Sequence, residues 1–336
     1  MSLPARGIGP LTVSSIGLGC MNLSHGYAPF PTEEDAARVL NHALDLGVTF
    51  LDTAAIYGDG ANERLIAGAV MHRRAEFTLA SKCVLDVFSG KRGLDGSPQA
   101  ITGTLDRALA RLGTDHIDLY YLHRLDRRVP VEESVDALVR AKDAGKIGAI
   151  GLSEMSAATI RRAHAVHPIA AVQSEYSPMV RNPEVAVLET CRELGIGFVA
   201  FSPLARGLLA GGVRDDHYGE GDMRNWLPRF RGPNLRHNLA AVNAFDALAA
   251  NLKLTPAQLS LAWVLARGEH IVAIPGTSSI AHLEENVGAA AITLDAATVA
   301  QVEALFAGNA VRGARYSAAM QATVDTELLP GEEVEG

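Results

Sequence analysis

No stretch of the chain reaches the ~18 consecutive apolar residues that a membrane span needs. The opening MSLPARGIGPLTVSS has neither the basic region nor the apolar core of a secretion signal. Lysine- and arginine-dense runs are missing and the formal net charge is -8, which leaves no electrostatic footprint for a nucleic acid. Cysteine is sparse. Cys20, Cys83 and Cys191 are too widely separated to form a metal motif or a disulfide framework, so no metal is expected and a reducing cytoplasm is the expected compartment. G-x-G-x-x-G occurs nowhere, which removes the fingerprint of a Rossmann dinucleotide fold. What remains is a globular composition, 48% hydrophobic and 20% charged.

Strand-like and helix-like segments alternate along the whole chain. After a short hairpin around Gly7, Gly9 and Pro10, SSIGLG reads as a strand, and Thr32 with Glu33 and Glu34 opens a helix whose apolar face includes Ala36, Val39, Leu40 and Leu44. VTFLDT then precedes a helix from about Asn62 to Val70, FTLASK one from Pro98 to Leu112, and HIDLYYLH one from Val131 to Ala144. KIGAIGLS leads to Ala157–Val166, AAVQSEYS to Glu184–Leu194, and GFVAFSP to a long irregular segment from about Ala205 to Asn238. Helices are expected from about Leu239 and from Thr255-Pro256, then the strand HIVAIPG, then helices near Ile280–Ala289 and Ala296–Ala307. Eight strands apolar on both faces, each followed by a helix, describe a parallel sheet covered by helices. The expected fold is an α/β, (β/α)8 TIM barrel with an N-terminal hairpin and a long loop after the seventh strand, in one domain, 1–336. A loop of that length is usually functional or disordered, and this one would lie over the mouth where barrel active sites sit. The tail beyond Gly308, with Glu327, Glu332, Glu333 and Glu335 and few apolar anchors besides Leu328 and Leu329, reads as surface or mobile chain at its end.

Three of these strands end in one ionisable group each: Asp52, Lys82 and His123. Tyr57 follows its strand by five residues, in a segment closed by Gly58 and Gly60. Singly, a strand-end Asp or Lys reads as a structural ion pair and a strand-end His as a hydrogen-bonded scaffold residue. Jointly, at one mouth of a barrel, they describe a proton-transfer site. A free tyrosine titrates near ~10 and is a poor acid at neutral pH. A buried cation at Lys82, kept charged by Asp52, is expected to lower that value, while His123 orients a carbonyl. The sum is a general acid acting on an oxygen where negative charge develops.

The stretches DTAAIYGDGANERLIAGAV, LASK and DLYYLHRLD resemble the signatures of the aldo-keto reductase superfamily, with IGLSE, VQSEYS, FSPLARGLL and IPGTSSIAHLEENVGA extending the likeness over nearly the whole chain. His123-Arg124 resembles the bacterial and plant-type branch. The resemblance implies a barrel that binds NADP(H), with NAD(H) the alternative, and reduces aldehydes or ketones with Asp52, Tyr57, Lys82 and His123 as the catalytic tetrad. It further implies cofactor contacts from Gly19, Met21, Asp52, Ser153, Glu154, Gln173, Phe201, Ser202, Leu204, Arg206, Gly276, Thr277, His282, Glu285 and Asn286. Ser153, Glu154 and Gln173 match positions that hold the nicotinamide carboxamide, and Phe201 one that stacks on its ring. Ser202, Leu204 and Arg206 match the pyrophosphate loop, and the group from Gly276 to Asn286 the adenosine end.

One departure concerns the 2'-phosphate. Ser278, Ser279 and His282 stand where NADP(H)-specific relatives place Lys or Arg, which leaves Arg206 or an arginine of the long loop to compensate. For the substrate pocket, Met21, Tyr27, Phe30, Phe88, Trp226 and Phe230 are candidate walls, and Arg124, Arg229 or Arg231 candidate partners for a polar or anionic group. Rival readings are an NAD-dependent alcohol or sugar dehydrogenase in the same fold, a non-catalytic nucleotide-sensing subunit, and a Schiff-base lyase using Lys82. The expected partner is a small aldehyde, ketone or alcohol, with no nucleic acid and no membrane, and the sequence leaves the oligomeric state open.

Overall fold

The computed structural model describes residues 3–88 and 90–334. Eight parallel strands run Leu18–Gly19, Phe50–Asp52, Thr78–Cys83, Ile117–Leu122, Ile147–Ser153, Ala171–Glu175, Gly197–Phe201 and Ile271–Ile274, each hydrogen-bonded to its neighbour in chain order. The ring closes where Ile16 pairs in parallel with Ala273, through Gly17 N–H to Ala273 O at 2.9 Å and Ala273 N–H to Ser15 O at 3.1 Å. The expected (β/α)8 barrel is therefore the observed one. No described helix is long and apolar enough to cross a membrane.

The core has two layers. The barrel interior packs Phe50, Ala80, Leu119, Tyr121, Ala149, Val199 and Val272, and a larger cluster fills the space between strands and outer helices. The N-terminal hairpin, Ala5–Ile8 with Leu11–Ser14, plugs the interior from below: Ile8 and Val13 belong to the inner cluster. Gly197 is required there, because a Cβ would come within 2.0 Å of Ile8. The plug leaves the opposite end, at the strands' C-termini, as the open mouth.

Helix boundaries follow local chemistry. Thr32 caps Glu33–Asp45 by accepting from Asp35 N–H, Ser97 caps Pro98–Leu112, and Thr255 with Gln258 forms a capping box on Pro256–Ala266. Gly113 and Gly195 end their helices in the left-handed conformation.

The structure corrects three expectations. The helix expected from Leu239 begins at Gly232, with Pro233 in its first turn. The irregular segment is thus shorter, and it is braced by 3-10 turns at Ala205–Ala210, Met223–Trp226 and Pro228–Phe230. The expected helix Glu184–Leu194 splits into a 3-10 turn at Asn182–Glu184 and a helix at Val187–Leu194, because Ala186 leaves helical geometry at φ -155°. The tail has more anchors than Leu328 and Leu329, although its end is surface chain as expected, with Leu328 and Val334 exposed: Arg315, Tyr316 and Thr326 are buried, and Asp325 accepts from Ser156 N–H at 3.0 Å and Thr159 Oγ1 at 2.7 Å, at the start of helix Ala157–Val166. Acids at a helix N-terminus are favourable partners for its free N–H groups, and this is what ties the tail down. Glu335 lies outside the described residues. A short antiparallel hairpin, Leu85–Phe88 with Lys91–Leu94, is an addition beside the mouth after the third strand.

Candidate active site

Asp52 and Lys82 lie in adjacent strands and His123 directly follows the next one, so the parallel sheet brings all three to the same end. Tyr57 reaches them from a turn that backbone conformation dictates. Gly58 and Gly60 take φ of +56° and +84°, and a Cβ on Gly60 would come within 2.6 Å of the Arg111 side chain. Arg111 is fixed by Glu63 at 2.6 Å, and Glu63 accepts from Ser81 Oγ at 2.6 Å, so the turn is pinned from below.

Lys82 is fully buried, forms an ion pair with Asp52 and donates to the Thr53 carbonyl at 2.8 Å. Gln173 donates to the other Asp52 oxygen at 2.8 Å. The Lys82 ammonium lies 5.2 Å from the Tyr57 ring centroid, the His123 ring meets that ring edge-on at 5.9 Å, and His25 stacks on it at 5.8 Å.

Burial works against the charge on Lys82, but Asp52 and Tyr57 outweigh it and hold the ammonium above its ordinary range. Burial pushes Asp52 up, with Lys82 and Gln173 opposing. Tyr57 departs from the expected lowering. Lys82 and Arg124 do pull its pKa down, but burial is larger and the phenol ends above its ordinary value. At neutral pH it is a fully protonated donor. Burial, then Arg124, Lys82 and His25, drive His123 well below the usual imidazole range. Its ring is neutral, and the buried Nδ1 has no partner among the described residues.

A cavity of about 900 Å3 opens from this cluster and runs to the N-terminus of helix Ile280–Gly288. All the expected catalytic and cofactor-contact residues line it except Lys82, which sits behind Tyr57 and Asp52, and Glu154. Glu154 is a correction. Its carboxylate is fully buried and takes Arg315 at 2.9 and 3.1 Å, Thr326 Oγ1 at 2.9 Å and Glu175 N–H at 2.8 Å, leaving nothing for a carboxamide. Arg206 lines the cavity but is engaged by Glu175 at 2.8 and 3.2 Å and by Tyr316 at 3.2 Å, so it is not free to compensate at a 2'-phosphate. Glu154, Ser202, Ala205 and Arg206 all adopt positive φ, between 46° and 55°. Such conformations are costly outside glycine and collect at functional sites; here buried ion pairs hold two of them, Glu154 and Arg206.

Of the candidate pocket residues, Met21, Tyr27, Phe30, Trp226 and Arg124 line the cavity. Phe230 packs in the core, Arg229 is buried on the Gly313 carbonyl and Glu332, Arg231 donates to the Asn225 carbonyl on the surface, and Phe88 lies in the added hairpin. The sequence reading missed His25, Arg92, Arg224, Tyr316 and Met320, which also line the cavity. For His25 the signal was available, since it follows the first strand into the mouth. Arg92, Tyr316 and Met320 come from segments whose return to the mouth has no local signature.

A dinucleotide fits the cavity by size and chemistry. Drug-sized ligands occupy ~300–1,000 Å3. Asn286, buried at its far end, has an Oδ1 with no partner among the described residues, and Ser279 caps the helix that offers its N–H groups there.

Comparisons agree with this geometry. The profile of the Aldo/keto reductase family matches residues 15–307. An aldo-keto reductase from Schizosaccharomyces pombe, whose name carries NADP(+), is 44% identical over 98% of this chain and 100% of its own length. The structure of a glycerol dehydrogenase from Gluconobacter oxydans superposes with a TM-score of 0.81 at 26% identity, covering 91% of this chain and 95% of that one. The holo form of an aldo-keto reductase from Bacillus halodurans gives 0.74 at 28% identity over 94% and 98%.

Proposed function

The chain belongs to the aldo/keto reductase family, and from that premise we propose that it is an NADP(H)-dependent reductase of aldehydes and ketones, with Tyr57 as proton donor. The observation that carries the reading is the convergence of Tyr57, Lys82, Asp52 and His123 at one end of a dinucleotide-sized cavity.

In this reading Ser153, Gln173 and Phe201 would hold the nicotinamide, Ser202, Leu204 and Arg206 would lie along the pyrophosphate, and Gly276, Thr277, His282, Glu285 and Asn286 would hold the adenosine end. When bound, the nicotinamide would supply the hydride. Tyr57 gives its phenolic proton to the carbonyl oxygen as negative charge collects there. Lys82 stabilises the phenolate that remains, and Asp52 with the Thr53 carbonyl fixes that ammonium in place. His123, neutral, hydrogen-bonds the carbonyl oxygen without competing for the proton. Glu154 is assigned no cofactor contact, and it acts by holding the tail through Arg315. A lyase reading needs a neutral Lys82 amine, which the ion pair with Asp52 opposes. The likeness to a glycerol dehydrogenase supports the reverse reaction, alcohol oxidation, on the same groups.

Cofactor choice rests on few charges. With Arg206 held by Glu175, His282 beside Ser278 and Ser279 is the remaining partner for a 2'-phosphate at this end. Titration with NADPH and NADH, followed by quenching of protein fluorescence, tests the reading. Tighter NADPH binding, narrowed toward NADH by His282→Ala, and NADPH oxidation on adding an aldehyde are expected. Failure to bind either nucleotide would sink the assignment.

A further inference from the structure

The cavity carries four arginines, and three of them are neutralised. Arg92 pairs with Asp59 at 3.1 Å, Arg206 with Glu175 at 2.8 Å and Arg224 with Asp222 at 2.7 Å. Arg124 is the fourth, and among the described residues no carboxylate pairs with it. Its Nη1 donates to the His123 carbonyl at 2.7 Å and to Ser153 Oγ at 3.3 Å, which fixes the side chain against the catalytic histidine. The Nε and Nη2 groups have no acceptor among the described residues. A guanidinium offers five N–H donors in a planar fork that matches a carboxylate. A half-buried cation without a counter-charge is costly unless a ligand or solvent completes it. Met21, Phe30, Leu85 and Trp226 contribute apolar surface to the same cavity.

We propose that Arg124 is a specificity residue that receives an anionic group on the substrate, so that the preferred substrates are carbonyl compounds with an apolar body and a carboxylate. This rests on the reductase reading of the site. The position next to His123 ties the two contacts together. Cα atoms of consecutive residues are ~3.8 Å apart, so the group that orients the carbonyl and the group that holds the anion are set by one strand end. Arg124 also lowers the pKa of both Tyr57 and His123, so its loss shifts absolute rates for every substrate. The ratio between a charged substrate and its neutral isostere removes that common effect.

The experiment measures kcat/KM for 2-, 3- and 4-carboxybenzaldehyde and for the three matching methyl esters, with NADPH, in the full-length enzyme. For at least one isomer the acid is expected to exceed its ester by about tenfold or more, the scale of a hydrogen bond to a charged group. Arg124→Met should bring that ratio to about one, and Arg124→Lys should restore part of it. Esters reduced as well as all three acids would overturn the proposal and leave the reductase reading standing. So would a preference for acid that survives in Arg124→Met, or one that disappears only because NADPH binding, titrated separately, is lost. Absence of turnover with both series would overturn the proposal and the reductase reading together.

Discussion

Arg315 ties the tail to the barrel, and its removal gives a large and calculable effect. The Arg315 side chain is 1% exposed and grips both oxygens of Glu154, itself fully buried. Arg315→Met keeps most of the volume and deletes the charge, leaving Glu154 with Thr326 Oγ1 and the Glu175 N–H only. Breaking one side of a buried ion pair costs about 3–5 kcal/mol, since the remaining charge stays desolvated. With an unfolding entropy of about 2 cal/mol/K per residue, a chain of 336 residues loses roughly 1.4 °C per kcal/mol, so the thermal midpoint should fall by about 4–7 °C. Glu154→Gln combined with Arg315→Met should recover part of the loss, because the pair is then removed rather than broken. Calorimetric melts of the wild type, the single variant and the double variant make the comparison. A single variant that melts within 1–2 °C of wild type would mean that Glu154 reaches solvent or another cation, and the tail-latch argument fails.

Other consequences follow from the same buried groups. His123 refuses a proton that the unfolded chain accepts near ~6.5. Acid therefore favours unfolding, and stability falls as pH drops below that value by up to about 1.4 kcal/mol per unit from this residue. The urea midpoint of His123→Gln should be correspondingly less sensitive between pH 7 and 5.5, and equal slopes would contradict a neutral His123. Cys20, Cys83 and Cys191 are all buried, and burial raises each thiol, Cys191 to about 12. An aromatic disulfide reagent at pH 8 should release no colour from the native protein and three equivalents from the unfolded one. Fast reaction of even one native thiol would show that its surroundings open readily.

Periodicity made the barrel legible, because strands buried on both faces and helices with one apolar stripe repeat eight times. The convergence of the candidate site was legible for the same reason: parallel strands bring Asp52, Lys82 and His123 to one end whatever their separation in sequence. Electrostatic balance was not legible. Lys82 acts on Tyr57 in the expected direction, but the net shift depends on how much protein surrounds the phenol. Nor could Glu154 and Arg206 be separated from the ligand-facing residues: Arg315, the partner of Glu154, lies 161 positions away in a tail that reads as polar, and Arg206 is engaged by Glu175 from a neighbouring strand end and by Tyr316 of that tail. The helix start at Gly232 was hidden by Pro233 and the asparagine and arginine that follow it, which resemble loop composition until the first turn is seen to begin there.

If Tyr57 supplies the proton while other residues hold the nucleotide, Tyr57→Phe separates the two. Fluorescence titration should give NADPH affinity within a few-fold of wild type, and aldehyde-dependent NADPH oxidation should fall by about 10²–10⁴-fold, the range of general acid catalysis. Turnover that survives the substitution would place the proton donor elsewhere and contradict the mechanism.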